Sequence, residues 1–242
     1  MARFLLKVSG EGLSGERGFG TDPDRIGELA ASLSAAQGRG HELAVIVGGG
    51  NYFRGADMSR WTIPRAEGDN VGILGTIING IFLRGALAEQ GISDGRLMTA
   101  VTIPAMAEPY VRLRAERHLD KGRIVILAGG NGQPFVSTDY PAVQRALELG
   151  ASRLLVAKNG TPGVFTADPR QDPDARLLRS ISHEEAVRRR LRVMDPAAFV
   201  LAAEHGLPIQ VFGVEDIPRL ADICDGAVAG TMVVAGAPYR LA

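Results

Sequence analysis

An excess of either charge is the first thing this sequence lacks. Its 242 residues carry 27 Lys and Arg against 27 Asp and Glu, a formal net charge of zero. Non-specific nucleic-acid binding draws on surplus positive charge, so that class of function is disfavoured. Cysteine is almost missing as well. Cys224 stands alone, which excludes an intrachain disulfide and a thiolate metal cluster and fits a reducing compartment. No uninterrupted apolar run reaches the roughly 18 residues expected of a membrane span. The apolar stretch in "MARFLLKVSGEG" is too short for a secretory signal. His41, His118, His183 and His205 show no ligand spacing and read as structural or exposed. What remains is the profile of a cytoplasmic α/β protein of enzyme size.

What is present is ordinary in bulk and informative in order. Hydrophobic residues make up 45% and charged residues 22%, enough for one α/β domain with a sizeable core. Residues 4–9 (FLLKVS), 43–50 (LAVIVGGG), 95–101 (GRLMTAV), 123–130 (RIVILAGG) and 153–159 (RLLVAKN) read as strands. Between the first two, Ile26, Leu29, Ala30 and Leu33 fall at helical spacing. Residues 71–91 read as a long, largely buried helix, 107–122 as a basic, solvent-facing one, and 140–150 as a helix with Pro141 near its start. Residues 166–180 read as a polar surface excursion. The remainder reads as helix, turn, helix and strand, with "RRRLR" (188–192) a solvated helix face. Alternating strands and helices predict a mainly parallel sheet covered on both faces, in one domain with a C-terminal subregion from near residue 151.

Four polar or glycine-rich loops each follow a predicted strand: 7–12 (KVSGEG), 47–55 (VGGGNYFRG), 128–139 (AGGNGQPFVSTD) and 157–169 (AKNGTPGVFTADP). Strand C-terminal ends border the ligand crevice of an open α/β sheet, so these loops can converge there. Glycine lets backbone N–H groups approach phosphate oxygens, and successive N–H groups form a concave anion site. The pattern G-x-x-x-x-G-K-[ST] is absent and "GGGN" lacks the dinucleotide spacing, so any phosphate chemistry uses another arrangement. Lys7 ends the first strand just before Ser9 and Gly10, and reads either as a phosphate-reaching ammonium or as a solvated edge lysine. Arg54 fits bidentate phosphate binding or an exposed loop. Asp69, placed just before the long helix, fits a helix N-terminal acid or a ribose acceptor. Ser137, Thr138 and Asp139 precede a helix, so capping accounts for at least one of them. Tyr52, Phe53 and Trp61 line a pocket wall or pack in the core.

Taken together, these loops resemble the amino-acid kinase superfamily, and within it the bacterial-type UMP kinases. The matching runs are "LLKVSGEGL" (5–13), "VGGGNYFRG" (47–55), "GDNVGILGTIING" (68–80), "AEPYVRLRAERHLDKGRIVILAGG" (107–130), "PFVSTD" (134–139), "GVFTADPRQDPDA" (163–175) and "VMDPAAF" (193–199). They cover almost the whole chain in order. The resemblance implies a three-layer αβα sandwich with a mainly parallel central sheet. It implies a single domain over 1–242, its acceptor-binding part spanning about 1–150 and its nucleotide-binding part about 151–242. It implies a cytoplasmic homohexamer that transfers the ATP γ-phosphoryl to UMP with Mg²⁺, without nucleic acid or membrane partners. By the same resemblance Lys7, Ser9 and Gly10 hold the transferring phosphoryl. Gly49, Gly50, Arg54 and Thr138 contact the acceptor phosphate, and Asp69 the ribose. Asn131 and Gln133 lie in the loop that reads the acceptor base. Lys158, Phe165 and Asp168 belong to the ATP neighbourhood, and Asp139 and Asp195 are the catalytic acids.

The chain departs from the family pattern in that neighbourhood. Asn131 and Gln133 stand where Thr and Asn are usual, and Pro162 replaces an acid in the nucleotide loop. "YP" (140–141) replaces small residues, and "VGILGT" (71–76) stands for the usual "MGMLAT". Asn and Gln still offer amide donors and acceptors to a base. The proline removes a charge and a backbone donor together. Two alternatives follow: a kinase of the same fold with another acceptor, or a non-catalytic nucleotide- or oxoanion-binding protein resembling the molybdenum-storage members.

Overall fold

The computed structural model describes residues 2–53, 62–191 and 194–242. In chain order its elements are β1 (Arg3–Val8), α1 (Pro23–Gly38), β2 (Glu42–Val47), α2 (Arg65–Glu89), β3 (Arg96–Thr99), β4 (Glu108–Pro109), α3 (Arg112–Leu119), β5 (Val125–Ala128) and α4 (Asp139–Glu148). There follow β6 (Arg153–Lys158), β7 (Leu178–Ile181), α5 (His183–Arg188), α6 (Pro196–Glu204), β8 (Ile209–Gly213), α7 (Leu220–Cys224), β9 (Thr231–Val233) and β10 (Arg240–Leu241). The strands form one ten-stranded sheet in the order β10-β7-β9-β8-β6-β1-β2-β5-β3-β4. Only the β8–β9 and β10–β7 pairs are antiparallel.

Strand alternation explains the layers. On one face, Leu6 and Val8 of β1, Val45 and Val47 of β2 and Ile126 of β5 pack against Leu29 and Leu33 of α1 and Leu83 and Leu87 of α2. On the other, Leu5, Ile46, Leu127 and Val156 pack against Val143 of α4 and Phe199 and Ala202 of α6. Both strand faces are therefore apolar, as a parallel sheet buried between two helical layers requires. The αβα sandwich is as expected. β1 sits at its centre, paired with β2 on one side and β6 on the other.

Three elements differ from the sequence reading. α2 begins at Arg65, after Pro64, so Asp69 lies inside it, bound to Arg65 one turn earlier (Nε–Oδ1 2.8 Å). The stretch 107–122 is not all helix: Glu108–Pro109 forms an edge strand, and α3 starts only at Arg112, as the restriction on residues before proline favours. α3 also buries Ala115 and Leu119 and is not wholly solvent-facing. The excursion at 166–180 returns to the sheet as β7.

Among the described residues, α2 is long and apolar enough to cross a membrane by length and composition, with mean hydropathy 1.6 over its best window. It lies instead on the sheet and α1, burying Ile77, Leu83 and Leu87. Val71, Leu74, Ile78 and Phe82 remain exposed along its other side.

Candidate active site

Lys7 breaks an otherwise apolar buried strand. It faces the same layer as Leu5, and only 5% of its side chain is exposed. A buried ammonium needs a counter-charge, and here the Lys7 Nζ lies 2.9 Å from Oδ1 of Asp139, the first residue of α4. A second ammonium, Lys158 at the end of neighbouring β6, is 3.7 Å from Oδ2 of the same carboxylate. The backbone N–H of Asp195 donates to that oxygen at 3.1 Å. Burial alone would raise the Asp139 carboxyl, but the two lysines and the amide outweigh it and hold the group below the usual carboxylate range. Lys158 also lies below its ordinary value, for a different reason. Burial, reinforced by Lys7, lowers it despite Asp139. Two cations thus share one buried carboxylate, an arrangement prepared for further negative charge.

The loops after β1 and β2 meet backbone to backbone. A Cβ at Gly10 would lie 2.5 Å from the Gly50 nitrogen, and one at Gly49 would lie 2.1 Å from the Gly72 carbonyl oxygen of α2. Glycine at these two positions is a requirement of close approach. The Ser9 hydroxyl is buried beside them and makes no hydrogen bond among the described residues.

The loop after β5 is tied to α2 at both ends. The Gly129 N–H donates to Thr76 Oγ1 at 2.7 Å, and the Phe135 N–H donates to Asp69 Oδ2 at 2.8 Å. Phe135 takes a left-handed φ of 66°, a conformation costly for a residue with a Cβ. Asp69 therefore spans α2 and this loop, and each of its oxygens keeps a second lone pair for a ligand hydroxyl. Asn131 closes a small turn on the Gln133 N–H at 3.3 Å. The expected side-chain capping of α4 does not occur: Thr138 is its N-cap residue without a cap bond, while the Ser137 hydroxyl donates to Asp195 Oδ2 at 3.0 Å.

Lys7, Ser9, Gly10, Gly49, Gly50 and Asp69 line a single cavity of about 1030 Å³. Asn131, Gln133, Thr138, Lys158, Phe165 and Asp168 complete its wall. Asp168 accepts from the Arg170 backbone at 3.0 Å and pairs with its guanidinium. Asp139 and Asp195 border an adjoining cavity of about 810 Å³ that shares Lys158. The Asp195 carboxylate caps α6, accepting from the Ala197 N–H at 3.0 Å, so it is the backbone of Asp195 that reaches Asp139. Arg54 and Trp61 lie outside the described residues. Pro162 is exposed and does not line the cavity; Thr161 and Gly163 on either side of it do.

A model of the amino acid kinase family matches residues 2–213. The chain belongs to that family. A uridylate kinase of Frankia alni is 49% identical over 231 residues, covering 96% of this chain and 90% of that protein. One from Deinococcus radiodurans is 45% identical over 232 residues, covering 96% and 94%. The crystal structure of a UMP kinase from Bacillus anthracis matches with a TM-score of 0.94 at 43% identity, covering 100% of this chain and 98% of that one. An aspartate kinase from Synechocystis, 23% identical with a TM-score of 0.72, shares the fold.

Several site residues of this family member escaped the sequence reading. Arg189 and Arg190, taken for a solvated helix face, line the cavity, because α5 ends at Arg188 and Arg190 adopts a left-handed φ of 53°. Thr76 and Asn79 were read as part of an apolar helix; two polar residues three apart in a buried segment were the available signal. The spacing G-x-G-x-x-G does occur, at Gly10, Gly12 and Gly15. Those residues form 3-10 turns, however, and supply no helix N-terminus for a pyrophosphate.

Proposed function

We propose that this chain is a UMP kinase, transferring the ATP γ-phosphoryl to UMP to give UDP and ADP in pyrimidine nucleotide synthesis. The observation that carries the reading is the Lys7–Asp139–Lys158 cluster, placed where four strand-end loops meet in one cavity. The identity of 45–49% to uridylate kinases over 96% of the chain supports UMP as acceptor. Neither another acceptor nor an oxoanion-storage role gains support from these relatives, and the exposed position of Pro162 weakens the second.

Phosphoryl transfer needs positioning and charge neutralisation more than a strong base. In this reading the γ-phosphoryl lies between Lys7 and Lys158, over the Ser9–Gly10 backbone. The acceptor phosphate rests on the Gly49–Gly50 turn, with Arg54 and Thr138 beside it, and Asp69 receives the ribose. Asn131 and Gln133 face the base, and Phe165 and Asp168 the adenosine side. Asp139 holds both lysines in place, and Asp195 fixes Asp139 through its amide. Among the described residues no group of three His, Cys, Asp or Glu is placed to hold a metal. Mg²⁺ carried by the ATP phosphates would supply charge neutralisation at the transferring group.

The division into an acceptor part of about 1–150 and a nucleotide part of about 151–242 is supported by the cluster itself. Lys7 comes from one part and Lys158 from the other, on adjacent strands of a continuous sheet. A cytoplasmic homohexamer belongs to the same reading, and the exposed apolar residues of α2 support self-association. ADP release with Mg-ATP and UMP, CMP or no acceptor tests the function. UMP-dependent release well above both controls is expected; equal rates with CMP, or none with UMP, would overturn it.

A further inference from the structure

Behind the glycine turn after β2 lies a closed polar network that the transfer chemistry does not explain. Asn79, on α2, is fully buried. Its Nδ2 donates to the Gly48 carbonyl at 2.7 Å and to Asn51 Oδ1 at 2.8 Å. Its Oδ1 accepts from Asn51 Nδ2 at 3.0 Å and from the Thr21 hydroxyl at 2.6 Å. Both amide donors and both acceptor lone pairs are therefore used. Asn51 Nδ2 also reaches the Gly20 carbonyl at 2.8 Å, and Thr21 Oγ1 lies 2.8 Å from the Tyr52 hydroxyl. One side chain thus grips the turn at both ends of Gly49–Gly50, from Gly48 to Asn51, and joins it to the segment before α1.

We propose that Asn79 is a positioning residue for the acceptor phosphate: it fixes the Gly49–Gly50 backbone against α2 so that the N–H groups of this turn are set before the substrate arrives. The two glycines alone leave the turn too many conformations, each lost on binding. A fully satisfied buried amide pair removes that freedom, whereas a half-satisfied one would cost more than an apolar contact. Among the described residues, neither the β6 loop nor Ser9–Gly10 supplies a hydrogen-bonding member of this network. Asn79 therefore acts directly on the acceptor side, and reaches the nucleotide side only through the contact of Gly10 with the turn. The proposal rests on the UMP kinase reading.

The test compares Asn79→Ala with Leu83→Ala, a packing loss one turn further along α2 that does not touch the loop. Steady-state KM and kcat for UMP and ATP are measured with calorimetric Kd values and melting temperature. Asn79→Ala is expected to raise KM and Kd for UMP about tenfold or more while those for ATP stay within about twofold. Leu83→Ala is expected to lower the melting temperature with both KM values unchanged. If Asn79→Ala does not fold, Thr21→Val, which removes one hydroxyl from the same network, carries the test with a smaller rise confined to UMP. Unchanged UMP affinity, or equal losses for both substrates, overturns the inference. Wild-type protein that neither binds nor turns over UMP sinks the parent reading instead.

Discussion

Lys7 and Lys158 share Asp139, yet their replacement should have opposite effects on the empty protein. Lys7→Met removes the closer cation and leaves Asp139 poorly compensated. Turnover should fall by about 10²–10³, or ~3–4 kcal/mol, as for loss of one charge-stabilising donor. Lys158 is held below its ordinary pKa, so folding costs free energy while it stays protonated, at all pH below that lowered value. Lys158→Met should therefore raise the melting temperature, while turnover collapses. Calorimetry beside the coupled assay checks both outcomes. Asp139 has the opposite sign from Lys158. Its depressed pKa gives stability that is complete above the unfolded value near ~4 and is lost as pH falls through the lower folded value. Asp139→Asn should flatten that acid limb in a pH series of unfolding curves. Cys224 is buried, and burial first and Asp225 second push its thiol up to about 12. A thiol reagent at pH 8 should label it only as fast as the protein unfolds.

At the scale of elements, α6 shows how a cap can serve a site. Asp195→Ala should cost about 1 kcal/mol in stability through the lost N-cap, and Asp195→Asn less, as urea unfolding would show. The strands at the middle of the sheet were legible from their apolar runs because both faces are buried. Their order was not, since pairing β1 with β6 depends on contacts 149 residues apart. Periodicity also placed α2 but not its start, which is set by Pro64 and the Arg65–Asp69 pair rather than by apolar spacing. Short elements such as β4, β7 and β10 were missed because a strand of two to four residues carries too short an alternation. In the site, glycine loops and Lys7 announced themselves as polar or glycine residues ending apolar strands. Arg190 and Asn79 did not: the first depends on one left-handed residue, and the second on a partner in another loop.

Across the whole molecule, one helix has two duties. The buried side of α2 holds Gly129 through Thr76 and the β2 turn through Asn79, while Val71, Leu74, Ile78 and Phe82 face solvent. The proposed self-association assigns this exposed apolar stripe to the interface. Ile78→Glu should lower the mass found by light scattering from a multiple of 25.6 kDa toward that of one chain. Because the same helix backs the acceptor loops, that variant should also bind UMP more weakly, with ATP affinity retained.

The joint between Gly10 and the β2 turn has a further consequence for how this gene tolerates change. Gly10 meets the Gly50 nitrogen, Gly48 meets the Gly10 nitrogen and Gly49 meets Gly72, each with less room than a methyl group needs. No single substitution at 10, 48 or 49 can be rescued by trimming a neighbour, because the nearest obstacle at each position is main chain. In a library of random variants these three glycines would accept no other residue, even alanine, and would stand out as sharply as the two lysines they surround.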